Sequence, residues 1–155
     1  MLKKMLMATV LIMPVAANAG VKVPDNLAGT AFFELGRSKL GTVAITMLKD
    51  FKKMRTAPKC ENITLVGHGC TLGEDKLNME LGLKRAHAVR TELVKMGFSE
   101  ERITVKSVGK SQPTYLWTWM LENVRYANPK YNRAVEIYID GRKSWYDDFR
   151  CKQDI

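Results

Sequence analysis

The alternation of apolar and polar positions changes period several times along the chain, and each change marks an element. Ala31-Phe32-Phe33-Glu34-Leu35 is a short run of large apolar groups closed by Gly36-Arg37-Ser38, and it predicts a first strand. From Leu40 the period lengthens. Leu40, Val43, Ala44, Met47, Leu48 and Phe51 fall on one face of a helix, Lys49, Lys52 and Lys53 fall mainly on the other, and Pro58 ends it. Asn62 to Gly67 is apolar and partly β-branched, a second strand. A second helix is expected from Asn78 to Met96, with Leu81, Ala86, Val89, Leu93 and Met96 as its buried stripe and Gly97 as its stop. Ile103–Val108 alternates as a third strand. Leu116–Ala127 reads as a third helix carrying Trp117, Trp119 and Val124. Ala134–Ile139 alternates as a fourth strand. The order β-α-β-α-β-α-β predicts an α/β sandwich in which helices cover one face of a sheet.

The first nineteen residues differ from the rest. Two lysines, a short apolar stretch and Ala17-Asn18-Ala19 have the layout of a secretory signal peptide. The expected division is therefore a signal peptide at 1–19, an N-terminal segment at 20–30, one domain at 31–140 and a tail at 141–155. No cysteine follows the expected cut, so a lipid on a mature N-terminal cysteine is not expected, nor is a further membrane span. The expected location is the periplasm of a two-membrane bacterium, at the outer membrane or cell wall.

The formal charge of +9 falls to +7 when Lys3 and Lys4 leave with the leader. A basic surface draws polyanions, such as acidic headgroups or the carboxylates of cell-wall peptides. Nucleic acid is not expected as the partner of a secreted chain. Three cysteines in an oxidising compartment leave one unpaired. A strand between Cys60 and Cys70 holds them too far apart to bridge. The expected disulfide is therefore Cys60 with Cys151, with Cys70 free; Cys70 with Cys151 is the competing pair.

The stretch GHGCTLGEDKLNMELGLKRA, Gly67 to Ala86, concentrates the candidate chemistry. His68, Cys70 and Asp75, with His87 nearby, can be read as a metal site, but no CxxC or HExxH spacing supports it, and no cofactor is expected. Cys70 with His68 as base can be read as a thiol nucleophile; a free thiol in an oxidising compartment tends to be captured, and no enzyme is expected. The glycines match no phosphate loop. The Trp117–Trp119 pair is either core or an exposed patch. Asn78 at the mouth of the second helix and Arg85 further in can both face the loop, and Arg85 can hold a carboxylate by paired hydrogen bonds. The alternative is a surface Arg85 paired with Glu80 or Asp75.

The spacing GHxxxxGxxxxNxxLxxxRA, carried by Gly67, His68, Gly73, Asn78, Leu81, Arg85 and Ala86, resembles the OmpA-like periplasmic domain. FFELGRSKL, VGKSQP at Val108–Pro113 and NRAVEI at Asn132–Ile137 add to the likeness, which runs from about Thr30 to Ile139. The resemblance implies one mixed four-stranded sheet covered by helices and a domain that binds peptidoglycan stem peptides without catalysis. It implies ligand positions at His68, Gly69, Cys70, Asp75, Asn78, Arg85 and Arg133. The family loop reads GHTD, its Asp taking the ligand ammonium and its Arg the neighbouring carboxylate. Here Gly69-Cys70 stands for Thr-Asp, Gly82 for the Ser of LSxxRA, and Ala134 for the second Arg of NRRVE. Half of the charge clamp is missing. Losing a charge partner costs about 2 to 5 kcal/mol, so wall binding is expected to be weak or lost unless Glu74 or Asp75 reaches the ammonium. Such a chain needs an envelope or outer-membrane protein partner. The alternative function is a structural subunit of a secretion, conjugation or motor complex that no longer binds peptidoglycan.

Overall fold

The computed structural model describes residues 24–55, 58–70, 72–116 and 129–140. The expected leader, the Trp117–Trp119 pair with nearly all of the third helix, and the tail with Cys151 lie outside the described residues.

Six elements frame the fold: β1 (Leu27–Phe32), α1 (Thr42–Lys53), β2 (Asn62–His68), α2 (Asp75–Lys95), β3 (Ile103–Gly109) and β4 (Ala134–Asp140). The strands form one mixed sheet in the order β1-β4-β2-β3. β4 runs antiparallel to both β1 and β2, and β2 runs parallel to β3, joined to it through α2. This is the expected sheet architecture.

Strand residues alternate between faces. Ala31, Ile63, Leu65, Ile103, Val135 and Ile137 all turn to one face and are buried with Ala44, Leu48 and Phe51 of α1 and Ala86, Val89 and Leu93 of α2. Both helices therefore cover that face. The opposite face carries Thr64, Val66 and His68 of β2 beside Glu136, Tyr138 and Asp140 of β4. Phe51 of α1 stacks on Phe98 at 5.6 Å, tying α1 to the chain just past α2. Gly97 ends α2 at φ 98°, and its N–H and that of Phe98 satisfy the carbonyls of Val94 and Leu93.

Three expectations are corrected. β1 lies at Leu27–Phe32, not Ala31–Leu35, because pairing with β4 (Thr30 with Glu136, Phe32 with Ala134) sets it, not the size of its side chains. Val43 is 83% exposed and does not join the buried face of α1. α2 begins at Asp75, so Asn78 lies inside its first turn and not at its mouth. Its buried stripe runs Asn78, Gly82, Arg85, Ala86, Val89, Leu93, polar or small in the first half.

Candidate functional site

β2 ends at His68 and the chain enters the loop that leads to α2. Gly67 needs to be glycine, because a Cβ there would strike the backbone of Gly82 on α2. That contact seats the first half of α2 against β2 and brings Arg85 under the loop. Beyond β2 the loop is tethered at several points. The Gly69 N–H donates to the Gly109 carbonyl at 2.6 Å. Asn78 Nδ2 donates to the carbonyls of Leu72 and Glu74. Lys110 Nζ donates to the Gly73 carbonyl at 2.8 Å and pairs with Asp75 at 2.9 Å. Gly73 itself has φ 87°, a conformation that favours glycine.

Arg85 is the centre of this arrangement and is 0% exposed. Its Nε donates to the Arg37 carbonyl, Nη1 to the His68 carbonyl at 2.9 Å and Nη2 to the Glu34 carbonyl at 3.3 Å. Its guanidinium lies over the Phe33 ring at 5.4 Å. One side chain thus joins the segment after β1, the end of β2 and α2. A guanidinium carries more N–H donors than these bonds use, so Nη1 and Nη2 each keep one to offer. Burial, then the like charge of Arg133, push the Arg85 pKa down to about 10, with Cys70 acting in the opposite direction. Arg85 remains a cation at neutral pH. Arg133 in turn donates from Nε to the Phe33 carbonyl at 3.2 Å.

The structure therefore places Arg133 and Cys70 within electrostatic reach of Arg85, and packs Gly69 against Asn78 in the loop. Cys70 is buried, 5% exposed, with a free thiol; Cys60 is buried and disulfide-bonded. Two expected residues are not part of this centre. His68 offers Arg85 only its carbonyl. Its ring lies 2.9 Å from the Gln112 carbonyl and 3.0 Å from the Glu136 carboxylate. Asp75 pairs with Lys110 at 2.9 Å, and Arg85 pairs with neither Asp75 nor Glu80. Among the described residues no three His, Cys, Asp or Glu side chains converge as metal ligands.

Three contributors have no signal in the sequence pattern. Glu34 and Arg37 hold Arg85 through backbone carbonyls, which any residue type supplies. Lys110, just past the end of β3, holds the loop. The exposed Glu34 is the acid whose backbone lies against Arg85.

The family model described as the OmpA family matches residues 32–116. Outer membrane protein A of Bordetella avium is 30% identical over 112 residues, covering 72% of this chain and 55% of that protein. The peptidoglycan-associated lipoprotein of Buchnera aphidicola is 31% identical over 109 residues, 70% of this chain and 60% of that protein. The chain thus spans less than two thirds of these relatives. The crystal structure of the peptidoglycan-associated lipoprotein from Burkholderia pseudomallei superposes with a TM-score of 0.58 at 19% identity, over 72% of this chain and 89% of that one, a likeness of fold.

Proposed function

The chain belongs to the OmpA family, and from that premise we propose that it is a non-catalytic periplasmic domain that associates weakly with peptidoglycan stem peptides. The observation that carries this reading is the Arg85 guanidinium, held in place by three backbone carbonyls with an N–H still to offer from each Nη. A ligand carboxylate is the group that such a fixed, charged donor pair takes best. The weakness follows from the rest of the site. Cys70, a buried thiol, stands where the family loop has Asp, and Arg85 lies under a tethered loop that a ligand must displace. Glu34 is the exposed acid closest along the chain to an Arg85 contact, and it replaces Asp75 as the proposed partner for a ligand ammonium.

Co-sedimentation with purified sacculi tests the reading. Wild type should pellet partially at low salt, Cys70→Asp should bind about 30-fold more tightly by restoring the second charge, and Glu34→Gln should weaken binding. Loss of pelleting in all three proteins would sink the proposal.

The sealed state of Arg85 favours a second reading, a structural subunit of an envelope-spanning secretion, conjugation or motor complex. In that case the guanidinium serves as an internal brace. Sacculi then retain Cys70→Asp alone, and wild type co-purifies with envelope proteins from its host.

A further inference from the structure

The end of α1 and its link to β2 concentrate positive charge that the proposed wall-binding site does not use. From Lys49 to Glu61 stand five cations, Lys49, Lys52, Lys53, Arg55 and Lys59, against two acids. One acid, Asp50, is taken by Lys53 at 2.9 Å. The other, Glu61, is half-buried. Lys49, Lys52 and Lys59 are exposed and pair with no acid among the described residues. The Arg55 guanidinium lies over the Phe51 ring at 4.9 Å, and its buried Nε has no hydrogen-bond partner.

Helix stability does not account for the whole cluster. Lys52 and Lys53 complement the carbonyl end of α1. Lys49 stands three and four residues before them, a spacing at which like charges destabilise a helix. Lys59 lies beyond α1 altogether. An apolar component sits in the same place. Met54, between Lys53 and Arg55, is 66% exposed, a large apolar group left in water. It borders a hollow of about 490 Å³ between α1 and β1, whose walls include Ala28, Val43, Met47 and Phe51.

From this we infer that the C-terminal end of α1 is a docking surface for an anionic lipid leaflet. The unpaired lysines set the sign of the partner, and their long stems reach headgroup phosphates. Met54 and the rim of the hollow set its kind, because a leaflet offers an apolar layer just below its charge and a soluble polyanion does not. A second copy brings the same excess of cations and is repelled. The position suits such contact. β2 begins at Asn62, three residues after Lys59, and ends at His68, whose carbonyl holds Arg85. The strand between is about 20 Å long, so the patch and the loop over Arg85 lie at opposite ends of the domain. The inference uses neither Arg85 nor that loop, and it stands independently of wall binding.

The test is flotation of the purified protein with vesicles of phosphatidylcholine, either alone or with about a third phosphatidylglycerol. The protein should float with the anionic vesicles and not with the neutral ones, and binding should fall as salt is raised. The triple variant Lys49→Gln, Lys52→Gln, Lys59→Gln should lower the partition coefficient about ten-fold or more. Lys76→Gln, Lys84→Gln, Lys106→Gln removes the same charge from exposed positions elsewhere and should cost less than about three-fold. Met54→Ser should weaken binding about three-fold, and that loss should persist at high salt. Every replaced side chain is exposed, so the variants should fold as wild type does. No flotation with anionic vesicles overturns the inference. Equal losses in the two triple variants also overturn it, because net charge alone then binds. So does displacement from vesicles by polyglutamate at matched charge together with an unchanged Met54→Ser, which makes an acidic protein segment the partner.

Discussion

His68 and Glu136 meet on the face of the sheet opposite α1 and α2, with ring Nε2 3.0 Å from Oε2 and both side chains buried. The contact is part of a closed set. The other ring nitrogen faces the Gln112 carbonyl, Tyr138 donates its hydroxyl to the same carboxylate oxygen, and the Tyr115 N–H takes the second oxygen. The Gln112 carbonyl can only accept, so Nδ1 donates to it. Glu136→Gln removes the buried carboxylate on which the His68 ring, the Tyr138 hydroxyl and the Tyr115 N–H converge. The expected cost is about 3 kcal/mol, read from urea unfolding at pH 7. A change under half of that would mean that the set is not tightly coupled.

The same group gives stability an acid limit. Burial alone would push the Glu136 carboxyl up, but the hydrogen bond and charge of His68, the Tyr115 N–H and the Tyr138 hydroxyl together hold it below its ordinary value of 4.5. A depressed folded pKa contributes stability that is present above the unfolded value and is lost as pH falls through the folded one. The stability gap between wild type and Glu136→Gln should therefore narrow only below pH 4.5. Unfolding curves measured down through that range check it; a gap that closes above it would contradict the assignment.

Hydropathy alone made β2, β3, β4 and the cores of both helices legible, because their buried residues recur at strand or helix period. It could not show the first half of the α2 stripe, where Asn78, Gly82 and Arg85 are buried without being apolar. Family spacing marked Asn78 and Arg85 but not their partners. The bonds that hold Arg85 come from carbonyls up to 51 residues away, and the partner of His68 lies 68 residues on. β1 escaped for a different reason. Its early residues, Leu27 to Thr30, are mostly small, and only the pairing with β4 declares them a strand.

The contact of Gly67 with Gly82 makes a coupled prediction. A Cβ at Gly82 would press on the Ser107 hydroxyl and lie 2.9 Å from the Gly67 carbonyl oxygen. Ser107 meanwhile donates to that carbonyl and accepts from the Gly109 N–H. Gly82→Ala should destabilise by about 2 kcal/mol through overpacking. Ser107→Ala should recover part of that loss, because it removes the nearer obstacle but not the backbone. Double-mutant thermal unfolding measures the interaction; strict additivity would show that the two sites do not share the space.

Arg85→Lys keeps the charge and loses the geometry. An ammonium on a flexible stem cannot reach the carbonyls of Arg37, His68 and Glu34 together. The variant should unfold about 2 to 4 kcal/mol more easily, with buried acceptors left unpaired. Wall binding by any Arg85 variant must be judged at matched fractions of folded protein. If Arg85→Lys is as stable as wild type, the brace is not made by these bonds.

Cysteine chemistry gives the last expectation. Cys60 is disulfide-bonded and Cys70 is free and buried, and the chain holds three cysteines. We propose Cys151 as the partner of Cys60, a bridge that closes a loop of roughly ninety residues and stabilises the fold by about 2 to 5 kcal/mol. Peptide mapping without reductant should recover one crosslinked pair, Cys60 with Cys151. Native protein should resist iodoacetamide at Cys70 and take up one label per chain only on unfolding. Reductant should lower the melting temperature in wild type and leave it unchanged in Cys60→Ser. Recovery of a crosslinked Cys70 peptide would place the staple on the loop itself, and with it the free thiol away from Arg85.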